Sequence, residues 1–190
     1  MDMERARLSF NQDWWYYPHQ KDFNETQFDF SDIQGRNIDL PHCWNGETAV
    51  DPDRDGYGQD IGWYQKKFYL PAELKGKRIF IYFDGVSGVS HVYLNGEEVC
   101  KHIGGYTEFE CEVTEYLIDD ENIITVKVDN REDQAVIPSR ISDFFVYSGI
   151  TRDVWIHGTG DTRFKEVKVI SKNVSEEMGK FRVNLTLDSR

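Results

Sequence analysis

The chain has 190 residues, 39% of them hydrophobic and 29% charged, the composition of a folded globular unit rather than a disordered one. With 34 acidic residues against 22 basic ones the formal net charge is −12, and no stripe of Lys and Arg breaks that balance, so no nucleic-acid partner is expected. No apolar run is long enough to cross a bilayer as a helix, and no membrane partner is expected either.

The first ten residues, "MDMERARLSF", lack the apolar centre of a signal peptide. They point to a cytoplasmic protein, or to a periplasmic or secreted one whose leader has been removed. Residues 39–65 read "DLPHCWNGETAVDPDRDGYGQDIGWYQ". Here Asp51, Asp53 and Asp55 before Gly56 imitate the first half of a calcium loop, but Gly62 stands at the twelfth position, where that loop needs a bidentate Glu. The EF-hand is rejected, and a solvated polar loop is the default over an irregular cation site. His42, Trp44 and Asn45 form a polar–aromatic group that either lines a pocket or packs at a strand end.

Strand patterns then follow closely. "WYQKKFYL" (63–70) alternates, and "RIFIYFDG" (78–85) is nearly continuously apolar, as in a strand buried on both faces. "VSHVYLNGEEVC" (89–100) carries Asn95-Gly96 between two strand-like pieces, a strong hairpin signal. "YTEFECEV" (106–113) alternates again, and "NIITVKVDN" (122–130) puts Ile124, Val126 and Val128 on one face. "RDVWIHG" (152–158) and "FKEVKVIS" (164–171) complete the series. Between 60 and 171 only "VTEYLI" suggests a helical turn. Many short strands at close spacing predict an all-β antiparallel sandwich or barrel. A boundary is expected at "HGTGDTR" (157–163), where turn formers cluster. The two alternating strands after it cannot fold alone, so they either dock on the first unit or open a second one.

Cys43, Cys100 and Cys111 are odd in number and lack zinc-type spacing, which predicts three reduced structural thiols. There is no P-loop, GxSxG or HExxH, and the five histidines are scattered singly, so no cofactor or metal is expected. In a strand through "TRDVWIH", Arg152 shares a face with Val154 and Ile156, and Asp153 shares the other with Trp155 and His157. Structural ion pairs pinning the sheet are expected for both charges. Asp143 opens "DFFVYSG", where Ser148 and Gly149 suggest a turn or bulge. A carboxylate among aromatics suits a sugar, whose C–H faces stack on rings while its hydroxyls donate to the acid. On residue type alone, an Asp capping its own loop is the stronger reading.

The motifs "LPHCWN", "GWYQKKFYLP", "KRIFIYFDGVSGVSHVYLNGEEV", "GGYTEF", "ITVKVDN" and "SDFFVYSGITRDVWI" occur in an order that resembles the N-terminal sugar-binding domain of glycoside hydrolase family 2, over roughly residues 7–160. That resemblance implies a jelly-roll β-sandwich, of the galactose-binding-like type, over 1–160. It also implies that 161–190 begin a truncated immunoglobulin-like sandwich, with a TIM barrel carrying both catalytic glutamates further on. It reverses the preference at Asp143, which matches an aspartate that reaches into the barrel's pocket and binds sugar hydroxyls. Asn45 resembles, more weakly, a segment that approaches the same pocket, and the "RDV" of Arg152 and Asp153 matches a structural motif. The family's Asn-Glu catalytic pair has no counterpart, since the one such dipeptide, Asn24-Glu25, lies in a polar loop. The implied partners are a terminal β-linked sugar and the downstream barrel, in a parent that is an exo-β-glycosidase, β-galactosidase first, and a candidate homo-oligomer. The 190-residue chain itself is expected to be inactive. A stand-alone carbohydrate-binding module and a ligand-free structural domain are the competing readings.

Overall fold

A computed structural model describes residues 7–18, 30, 33–46, 60–131 and 146–190. Twelve strands appear among them. They are β1 (Arg7–Ser9), β2 (Trp14–Pro18), β3 (Arg36–Ile38), β4 (Ile61–Phe68), β5 (Arg78–Phe83), β6 (Val89–Leu94), β7 (Glu97–Ile103), β8 (Phe109–Glu112), β9 (Asn122–Asp129), β10 (Val154–Thr159), β11 (Thr162–Val174) and β12 (Gly179–Ser189). The helical content of the described residues is two single turns, at Ala72–Leu74 and Thr114–Tyr116, the second inside the predicted "VTEYLI".

The strands form a four-stranded sheet ordered β1-β10-β5-β8 and a six-stranded sheet ordered β3-β2-β4-β9-β6-β7, with β11 and β12 pairing only with each other. Every pairing is antiparallel. Alternation decides what enters the core, because successive side chains leave a strand on opposite faces. Ile79, Ile81 and Phe83 of β5 with Val154 and Ile156 of β10 face Tyr64, Val92, Leu94, Ile124, Val126 and Val128 of the larger sheet, in one buried cluster. The expected face of β9 is therefore the core face. The result is the β-sandwich of jelly-roll type that the strand spacing and the resemblance predict.

The Asn95-Gly96 hairpin forms as read. Both residues take positive φ, 52° and 90°, the backbone of a tight two-residue turn between β6 and β7. Asn95 adds side-chain bonds, accepting from the Ile123 amide at 2.9 Å and donating to the Asn122 side chain at 2.9 Å.

Two expectations need correction. Cys100 and Cys111 are paired as a disulfide with Cα atoms 5.8 Å apart, and Cys43 alone is a free thiol. Their strands lie in different sheets, β7 in the larger and β8 in the smaller, so the bond ties the two layers at one side. The linear spacing of the cysteines says nothing of that proximity. The second correction concerns Arg152 and Asp153. Strand β10 begins at Val154, so Arg152 is exposed rather than on the Val/Ile face, and it donates to the Tyr106 carbonyl at 3.5 Å. Asp153 takes its hydrogen bond from the Asn11 amide at 2.8 Å, a neutral partner in place of the expected cation.

Gly160 and Asp161 link β10 to β11, and β11 and β12 form a hairpin closed at Ser175–Met178. One face carries Val167, Val169, Val183, Leu185 and Leu187, all exposed, while Lys168, Arg182 and Asn184 lie on the other.

Candidate functional site

The sequence pointed to Asp143 and Asn45. Asp143 lies outside the described residues, as do Asp51, Asp53 and Asp55. The described strap that follows it, residues 146–152, forms one wall of a cleft of about 300 Å³. Pro41, His42 and Cys43 form another wall, and Ser87 and Tyr106 complete it. Tyr106 and Tyr147 stand at its rim with about half their surface exposed, 50% and 54%.

The strap is held by an unusual concentration of buried polar groups. The backbone of 42–44 pairs with it, His42 N donating to Ile150 O at 2.8 Å and Trp44 N to Ser148 O at 3.1 Å. Asn45, 3% exposed, uses both ends of its amide on the strap. Its Nδ2 donates to the Val146 carbonyl at 3.0 Å and its Oδ1 accepts from the Ser148 amide at 2.9 Å. The Cys43 thiol donates to the same Oδ1 at 3.0 Å. On the far side Ser87 Oγ accepts from Gly149 N at 2.7 Å, and Asn130 Nδ2 contacts the Ser148 hydroxyl. Asn45 is thus buried behind the strap, bonded to its backbone, and is not among the residues that line the cleft.

Gly149 explains the turn signal in the sequence. Its φ is +134°, and a Cβ there would lie 2.4 Å from His42 O and 2.6 Å from Tyr64 Oη. No L side chain fits that approach or that backbone angle.

Next to the strap lies a polar–aromatic cluster. Arg36 Nη2 is 2.9 Å from His42 Nε2, and Tyr64 Oη is 2.8 Å from Nδ1. A guanidinium only donates, so Nε2 is the acceptor and Nδ1–H donates to the tyrosine oxygen. Burial, with the Arg36 charge adding to it, pushes the His42 pKa down to about 4, and the ring is neutral at pH 7. Burial raises the phenols of Tyr64 and Tyr16 above their ordinary range, so they stay protonated. Trp44 stacks on Tyr16 with ring centres 5.9 Å apart. Among the described residues no group of acidic, His or Cys side chains has the geometry to hold a metal.

The chain is thus a two-sheet β-sandwich with a cleft lined by two tyrosines, a neutral histidine and an anchored strap. The comparisons make this specific. Residues 37–159 match the model described as "Glycosyl hydrolases family 2, sugar binding domain", and the chain belongs to that family. A putative β-glucuronidase of Formosa agariphila is 34% identical over 185 residues, 97% of this chain and 22% of that protein. A β-galactosidase of Thermoanaerobacter pseudethanolicus is 34% identical over 194 residues, 97% of this chain and 25% of that protein. Among solved structures, a putative β-galactosidase from Bacteroides fragilis superposes with a TM-score of 0.85 at 31% identity, covering 97% of this chain and 29% of that one. A Bacteroides uniformis β-glucuronidase gives 0.82 at 29% identity, covering 95% and 22%. The chain therefore spans about a quarter of the length of the curated relatives it matches.

Sequence reasoning missed Arg36, Tyr64, Ser87 and Asn130 as parts of this site. Tyr64, Ser87 and Asn130 lie within the quoted motifs but have no role there that residue type reveals, and Arg36 stands six residues before the His42 it contacts; the roles of Tyr64, Ser87 and Asn130 come from contacts 18 to 62 residues away.

Proposed function

We propose that this chain is the sugar-binding domain of a retaining exo-β-glycosidase that hydrolyses terminal β-glycosides, and that it lends its partner domain one acidic arm. In this reading the strap 146–152 is the root of that arm, and Asp143 accepts hydrogen bonds from hydroxyls of the terminal sugar. The reacting carboxylates, one protonating the glycosidic oxygen and one forming the glycosyl intermediate, belong to a barrel elsewhere in the polypeptide. The arm's contribution is positioning, since a sugar held in one orientation presents its anomeric carbon correctly to both groups. The observation that carries the reading is the anchored strap: the buried side chains of Asn45, Ser87 and Asn130 and three backbone hydrogen bonds fix a segment that makes no regular sheet. Such a concentration of buried polar bonding defines one conformation, as a binding arm needs.

Within this class, β-galactosides are the first substrates to test and β-glucuronides the second, since the named relatives divide between the two. The amphipathic β11–β12 hairpin fits the opening of a further β-sandwich, whose second layer would cover the apolar face of Val167, Val169, Val183, Leu185 and Leu187.

A stand-alone binding module is the second reading, favoured by the exposed rings of Tyr106 and Tyr147 at the cleft. Calorimetric titration of the chain with methyl β-galactoside and methyl β-glucuronide separates the two. The arm reading expects no saturable heat in the millimolar range, because the pocket is incomplete. A Kd of about 1 mM or tighter, equal to roughly 4 kcal/mol of binding free energy, would establish the module instead.

A further inference from the structure

Away from the cleft, the charged groups of highest burial gather where the hairpin leaves the sandwich. Arg78, at the start of β5, is 5% exposed and needs acceptors for its charge. It makes a two-pronged contact with Glu112 of β8, at 2.9 and 2.8 Å, reaches Asp188 of β12 at 2.9 Å, and donates to the Asp161 carbonyl at 3.1 Å. Arg163 of β11 answers from the hairpin. It bonds Asp188 at 3.1 Å and Glu110 of β8 at 2.5 Å, with its guanidinium 3.9 Å from the centre of the Phe80 ring. His157 of β10 stacks on Phe80 and sets its Nε2 3.5 Å from Glu110.

Two arginines and three carboxylates therefore alternate across the junction. The sandwich supplies Arg78, Glu110 and Glu112, and the hairpin supplies Arg163 and Asp188. Asp188 is shared by both arginines. Backbone connections at the same place are slight: the hairpin joins neither sheet, and two residues, Gly160 and Asp161, separate β10 from β11. The hairpin's own side chains are mostly exposed, so apolar packing does little to fix its angle.

We propose that this ion ladder is an orientation lock, setting the angle at which the β11–β12 hairpin, and any layer carried on its apolar face, leaves the sandwich. Forked guanidinium–carboxylate contacts suit that task, because they are directional where apolar contacts are not. Buried ion pairs add geometric definition more dependably than net stability. The inference stands on the ladder's geometry and does not require the glycosidase reading.

The test is the measurement of backbone N–H residual dipolar couplings on the isotope-labelled chain and on the double variant Asp188→Asn, Arg163→Gln. Both changes lie on the hairpin side, so the sandwich core keeps its own residues. In the native chain one alignment tensor is expected to fit the amides of both sandwich and hairpin. In the variant the hairpin couplings should shrink by roughly two-fold or more relative to the sandwich, the mark of a unit that reorients. Cross-strand contacts within β11–β12 should persist. Unchanged hairpin couplings under the native tensor would overturn the proposal. So would loss of the cross-strand contacts themselves, which would make the ladder a requirement for the hairpin's folding rather than for its direction.

Discussion

Asn45→Ala offers a direct test of the strap's anchoring, and its size follows from the geometry. The substitution removes the acceptor of the Ser148 amide and the donor to the Val146 carbonyl, bonds of 2.9 and 3.0 Å. Ser148 is 0% exposed, so water cannot replace the lost partner of its N–H. An unpaired buried group of this kind costs about 1–3 kcal/mol. Val146 is half-buried, and its carbonyl regains a water, adding about 1 kcal/mol or less. The sum is about 2–4 kcal/mol. For a domain of this size, with a urea slope of about 2 kcal/mol per molar, the midpoint should fall by about 1–2 M. Asn45→Asp is the informative companion. It keeps an acceptor for Ser148 N but turns the donor facing the Val146 carbonyl into a second acceptor, so at pH 7 it should destabilise at least as much as Ala. Urea unfolding followed by tryptophan fluorescence measures both. A loss below about 0.5 kcal/mol for Asn45→Ala, the level of an ordinary surface change, would refute the anchoring argument.

Gly149→Ala should destabilise the chain by about 2 kcal/mol or more, since a strained φ adds to a 2.4 Å clash with His42 O; thermal unfolding checks it. The His42 ring should stay neutral down to about pH 4, which a two-dimensional NMR titration of its ring carbons reads directly. Its folded-state pKa lies below the unfolded value of 6.5, so the unfolded chain binds the proton first. Stability should therefore decline as pH falls from about 6.5 toward 4, by at most about 1.4 kcal/mol per unit from this group. A His42 titration midpoint near 6.5 would contradict the hydrogen-bonded Arg36–His42–Tyr64 arrangement. Thiol counting in denaturant without reductant should find one reactive cysteine, Cys43, and three after reduction.

Much of the scaffold was legible because its signals are local. The Asn95-Gly96 turn, the apolar run that became β5 and the alternation of β9 each depend on neighbours a few residues away. Short strands were not legible. β1, β2 and β3 have three to five residues each and are defined by their sheet partners rather than by a pattern of their own. The same limit applied to the charges. Arg152 was placed on a strand face by extrapolating the alternation two residues beyond where pairing begins at Val154. At the site, His42, Trp44 and Asn45 were recognisable as a group and Gly149 as a turn. What joins them is a contact across 103 residues, between Asn45 and Ser148, which no window of sequence contains. The Cys100–Cys111 pairing escaped for a related reason, since it depends on two sheets stacking.

In the proposed function the sandwich delivers an acid to a sugar held by another domain. The decisive measurement is steady-state kinetics of the Asp143→Asn variant in the intact gene product, with p-nitrophenyl β-galactoside and β-glucuronide as substrates. A fall in kcat/KM of about 100-fold or more is expected on the cleaved substrate, with the urea midpoint unchanged. Kinetics equal to those of the unmodified protein on both substrates would contradict it.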